Sequence, residues 1–137
     1  MSAGAYGSTS GSQERESRPL MERLMVFSLP EAIESLRNEP EWAANDKNSR
    51  TLAKDVDFRL LLTVLHTGAS LEEKNGEARA SLQLIEGTAD LEVDGELGQL
   101  AAGQVAVIDS GRPWTLRARS DCALLLTLAW PLEKAGV

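Results

Sequence analysis

A chain of 137 residues with a hydrophobic fraction of 42% is sized for one domain that buries its own core. A net charge of −7 argues against nucleic acid as a partner, because phosphates need a basic surface. One cysteine, Cys122, excludes an internal disulfide framework, and one histidine, His66, excludes a multi-histidine site. No long apolar run and no basic-then-apolar start are present, so no membrane partner is expected and the expected location is cytoplasmic.

Residues 1–19 are rich in Gly and Ser, with Tyr6 as the lone aromatic. Such a composition predicts a disordered tail. Residues 20–48 form an N-terminal helical segment, expected to pack on the outside of the main body. Ser28 and Glu31 have capping-box spacing, and Pro30 falls in the first turn. Leu29, Ile33 and Leu36 make one apolar stripe, which predicts a helix over Leu29 to Arg37. Asn38 and Pro40 end it, and Trp42 is expected to anchor the segment after it.

From residue 49 to 131 the signals are those of strands. "FRLLLTVLH" is apolar and β-compatible, although periodicity alone does not separate strand from helix there. "TADLEV" alternates, and Asp94-Gly95 after it is a two-residue hairpin signal. "QVAVID" follows Gly103. "WTLRAR" puts Trp114, Leu116 and Ala118 on one side. "ALLLTLAW" runs into Pro131. Six or more short strands with turns between them predict an all-β sandwich or barrel. Residues 132–137 are read as a C-terminal tail.

Two glycine patterns organise this half. Gly68 and Gly87 bracket the first, with Lys74, Gly76 and Ala80 between them. Fifteen residues later Gly103 opens the second, with Asp109, Gly111 and Trp114 at set intervals. Together they resemble the two motifs of the cupin superfamily, with the spacer of compact single-domain bacterial cupins. The resemblance implies a double-stranded β-helix, a jelly-roll-like barrel, with glycines where the chain turns sharply or needs positive φ.

The departures from the family pattern carry the functional reading. The resemblance assigns its four metal-ligand positions to Lys74, Gly76, Ala80 and Trp114. None of these is a histidine, carboxylate or thiolate, the donors that iron, manganese and zinc require. No metal and no cofactor are therefore expected, and the family's metal chemistry does not carry over. If the register is spatial, the four positions converge inside the barrel, and replacing them by three histidines and a glutamate should build a site.

Trp114 shares parity with Leu116 and is expected to plug the vacated cavity; alternatively it forms a stacking wall for a ligand. Lys74, beside Glu72, Glu73 and Glu77, reads as a solvated lysine at the barrel mouth or as an anion clamp. His66 ends a strand with its face undecided, and Cys122 reads as a small buried hydrophobe. The candidate pocket residues are thus Lys74, Trp114, Gly76, Ala80, Leu116 and His66, with no catalytic set. The expected function is a metal-free, non-enzymatic barrel that binds a small molecule. Two alternatives stand beside it: a metal-independent, isomerase-like enzyme using Lys74 or His66, and a structural module with a filled barrel. A homodimer is the expected assembly.

Overall fold

The computed structural model describes residues 22–131, so the tails expected at 1–19 and 132–137 lie outside the described residues. Two short helices precede nine strands. They are α1 (Leu29–Arg37), α2 (Pro40–Ala44), β1 (Lys47–Asp55), β2 (Phe58–Leu65), β3 (Ser70–Glu73), β4 (Arg79–Glu86), β5 (Thr88–Val93), β6 (Glu96–Ala101), β7 (Val105–Ile108), β8 (Trp114–Ala118) and β9 (Cys122–Ala129). The strands form a five-stranded sheet, β1-β2-β9-β4-β7, and a four-stranded sheet, β3-β8-β5-β6. Every pairing is antiparallel. The inner faces of the two sheets enclose a jelly-roll-like core, as the all-β expectation required.

Strands β2 and β9 of the five-stranded sheet are covered on both faces, and this explains their unbroken apolar runs. In β9, Cys122, Leu124 and Leu126 face the barrel core, while Ala123 and Leu125 face the helices. In β2, Leu61 and Leu65 turn inward, while Leu60, Leu62 and Val64 turn outward. The outer layer is completed by Ile33 and Leu36 of α1, with Phe27, Leu29 and Trp42 around them. The four-stranded sheet has one wet face and alternates accordingly. Ala89 and Leu91 of β5 and Trp114, Leu116 and Ala118 of β8 are buried, whereas Glu92 and Arg117 are exposed.

Helix α1 has the bounds its stripe predicts, but not the predicted cap. Ser28 is extended (φ −90°, ψ 107°) and its side chain makes no capping hydrogen bond. Its carbonyl instead accepts from Ala32 N at 3.0 Å. The second helix and β3 carry no clear sequence signal. The helix is only five residues long, and the strand, "SLEE", reads as a charged turn until pairing with β8 holds it extended. The Asp94-Gly95 hairpin forms as expected, with both residues at positive φ (53° and 83°) and β5 pairing β6 on either side.

Candidate functional site

The glycine register is borne out by backbone geometry. Gly68, Gly87, Gly103 and Gly111 all adopt positive φ, between 86° and 93°. At Gly87 the need is also steric: a Cβ there would run into the Asp121 carbonyl and sit 2.9 Å from Cys122 Sγ.

The positions that the resemblance assigns to the family's ligands lie at or near the barrel end where β3, β5 and β9 finish and β2, β4 and β8 begin. Ala80 and Trp114 are buried there, at 2% and 5% exposure, and Leu116 lies fully buried beneath. Gly76 is buried in the β3–β4 loop, but Lys74 is exposed. Convergence is therefore partial: Ala80 and Trp114 join the barrel core, and the lysine stands outside it in solvent.

Two loops close over this end. Gly76 O accepts a hydrogen bond from Gly111 N. Gly76 has φ +64°, and a Cβ on it would meet the Arg112 backbone N and O at 2.8 Å. Asp109 fixes the second loop through its side chain. Its Oδ1 accepts from Ser110 N at 2.8 Å and from Arg79 Nε at 3.1 Å. The Ser110 amide, then Arg79, hold this carboxyl below its usual range.

The donor chemistry at these positions does not fit a transition metal. An ammonium, two residues without side-chain donors and an indole offer iron, manganese or zinc nothing to bind. Among the described residues, no three His, Cys, Asp or Glu side chains are grouped to hold an ion.

His66 belongs elsewhere. It continues the outward parity of Leu62 and Val64, so it meets the helical layer. Its ring stacks on Trp42, and Nε2 lies 2.8 Å from the Trp42 carbonyl. Nearby, Asp121 Oδ1 accepts from Thr67 N (2.8 Å) and Oγ1 (2.9 Å), and these donors hold its carboxyl below the usual range. Cys122 is fully buried, and burial pushes its thiol up.

Two polar features escaped the sequence reading. At the opposite end of the barrel, Thr88, Ala89, Gln99, Leu100, Ala101, Gln104 and Arg119 line an open cleft of about 430 Å³. At the Trp114 end, Arg59 occupies an inward position of β2. It shares one cross-strand row with Leu128, Ala80 and Ile108. At the same end of the other sheet is the row Glu73, Trp114, Val93. A charged residue at inward parity in "FRLLLTVL" was the available signal for Arg59.

No family profile matches the sequence, and no curated protein matches it. Solved structures do. A conserved protein of unknown function from Streptococcus pyogenes superposes with a TM-score of 0.65 at 24% identity, over 81% of this chain and 91% of that one. A cupin-superfamily protein from Desulfitobacterium hafniense gives 0.63 at 16% identity, over 83% and 97%. The cupin domain of an XRE-family transcriptional regulator from Enterobacter cloacae gives 0.58 at 21% identity, over 64% and 99%. At these identities the likeness is one of fold, and the chain has the cupin fold.

Proposed function

We propose that this cupin-fold chain is a metal-free, non-enzymatic barrel that binds a small molecule near one end of the barrel. The observation that carries the reading is what stands at the four metal-ligand positions. Exposed Lys74, loop-bound Gly76 and buried Ala80 and Trp114 provide no donor set. Trp114 also takes up interior volume that a ligand would otherwise use. A ligand therefore seats beside the indole, against the half-buried Leu61, Leu71 and Leu128 that border the core. The isomerase-like alternative lacks support, since Lys74 projects to solvent and His66 packs on the outer layer.

Elemental analysis and a metabolite screen test the proposal together. Protein dialysed against a weak chelator should carry far less than one equivalent of any transition metal. A ligand selective for the native state should raise the melting temperature by mass action. A full equivalent of bound metal would overturn the metal-free reading, and a screen with no stabilising compound would overturn the binding one.

A second reading, assembly into a homodimer, is favoured by β7. It is a sheet edge with one neighbour, and Val105 and Val107 on it are 54% and 72% exposed. Open apolar edges invite pairing with another strand. Light scattering after size exclusion tests this reading, with a monomer at micromolar concentration as the adverse result.

A further inference from the structure

We infer that the barrel mouth around Arg59 is a carboxylate site, taking a small organic acid whose carboxylate meets the Arg59 guanidinium and whose apolar body lies on Leu61, Leu71 and Leu128. The inference rests on the small-molecule-binding reading and names the chemistry of the ligand. Three observations carry it.

Arg59 Nε is buried and, among the described residues, has no hydrogen-bond partner. A buried, unsatisfied donor on a permanently charged group is costly, and an arginine fork matches a carboxylate edge-on. The Trp130 ring lies against the guanidinium, its centroid 5.3 Å from Cζ. With a face taken by the indole, the hydrogen-bonding edge is what remains for a ligand.

Lys54 on β1 sits directly opposite Arg59. Like charges directly opposite each other across two strands are destabilising, and among the described residues neither makes an ion pair. Among the described residues, the carboxylates in this region are Asp55 and Asp57 around the β1–β2 turn and Glu73 on the other sheet. None of them approaches either cation within ion-pair distance. An anion placed between Lys54 and Arg59 relieves both the repulsion and the orphaned donor.

The surrounding surface sets the ligand's other half. Arg59 is flanked in its row by Leu128 and two residues along its strand by Leu61, and Leu71 lines the inner face of the other sheet beside Leu116. These leucines are half-buried and border the core. A dicarboxylate or sugar would leave polar groups against them, so a monocarboxylate with a short apolar body fits best.

The probe is benzoate, with benzamide as the neutral isostere, titrated into the full-length protein and followed by amide chemical shifts and melting temperature. Benzoate should raise the melting temperature at millimolar concentration and shift amides around Lys54, Arg59 and Trp130, and benzamide should do neither. Arg59→Gln should weaken benzoate binding roughly tenfold or more. Glu73→Gln should tighten it, by removing a carboxylate from the mouth. Arg119→Gln, in the cleft at the other end, should leave it unchanged. If Arg59→Gln does not fold, Lys54→Gln replaces it and should weaken binding in the same direction. Failure of benzoate to bind, or equal binding of benzamide, overturns the carboxylate site. Binding that survives Arg59→Gln, or is lost in Arg119→Gln, also overturns it. The binding proposal itself falls only if the metabolite screen, which includes neutral compounds, finds nothing.

Discussion

Trp42 and His66 lie face to face, ring centroids 3.4 Å apart and planes 15° from parallel. The pair joins α2 to the end of β2. Arg37 extends the contact, with Cζ 5.7 Å from the Trp42 ring and Nη1 2.7 Å from Glu86 Oε1. A double-mutant cycle with Trp42→Ala and His66→Ala should give a coupling free energy of about 0.5–1.5 kcal/mol, the range for stacked aromatic pairs. Urea unfolding measures it. Additive effects would mean that the rings are neighbours without energetic contact.

Trp114→Ala should destabilise the protein by roughly 3–5 kcal/mol, since the indole is inside the barrel core and the residues around it cannot all collapse into the gap. Leu116, directly below, and Val93, its cross-strand partner, would line the cavity. Equilibrium denaturation checks the figure. A cost under about 1 kcal/mol would place the indole at the surface and remove the plug.

Much of this architecture was legible because it rests on local chemistry. Pro30 and the Leu29–Ile33–Leu36 stripe delimit α1, and the parity of Trp114, Leu116 and Ala118 assigns the inner face of β8. What was not legible depends on partners distant in sequence. Ser70–Glu73 is a strand only because β8 pairs with it. His66 takes its face from the parity of Leu62 and Val64, which shows only once α1 covers one side of the sheet. Arg59 sits in the apolar run of β2, "FRLLLTVL", and nothing local says that its inward parity leaves its Nε without a partner among the described residues. The positive-φ glycines were legible from the motif spacing, but not the contact between Gly76 and Arg112 that closes one barrel end.

Asp121 gives a pH-dependent prediction. Its two hydrogen bonds from Thr67 depress its pKa from the usual 3.8. A carboxylate with a depressed folded-state pKa contributes stability that is present above the unfolded value and is lost as pH falls through the folded value. Asp121→Asn keeps an acceptor for Thr67 but removes the charge. The variant should be slightly less stable than wild type near neutrality, and the gap should close as pH falls below the depressed pKa. Urea midpoints across an acid series test the sign. A gap that widens toward low pH would contradict it.

Restoring the family's ligands should fail, for a reason located at Gly76. Its φ of +64° is strained for any side chain, and a Cβ would lie 2.8 Å from Arg112 backbone atoms. Left-handed backbone at a non-glycine residue costs on the order of 1–3 kcal/mol, and the backbone contact adds to that. Gly76→Ala alone should therefore destabilise by at least that range. The variant carrying Lys74→His, Gly76→His, Ala80→Glu and Trp114→His should melt far below wild type, since it also loses the buried indole. It should show no cobalt absorption characteristic of a three-histidine, one-carboxylate site. Lys74 adds to the difficulty, because a histidine there starts from an exposed position, and no neighbouring group is arranged to orient metal-bound imidazoles. Titration with cobalt, read by visible absorption on protein verified as folded by circular dichroism, decides the matter. A folded variant that binds cobalt at micromolar metal would show that the Gly76 and Arg112 loops separate readily, and that the closure of the barrel mouth is loose enough to admit an ion.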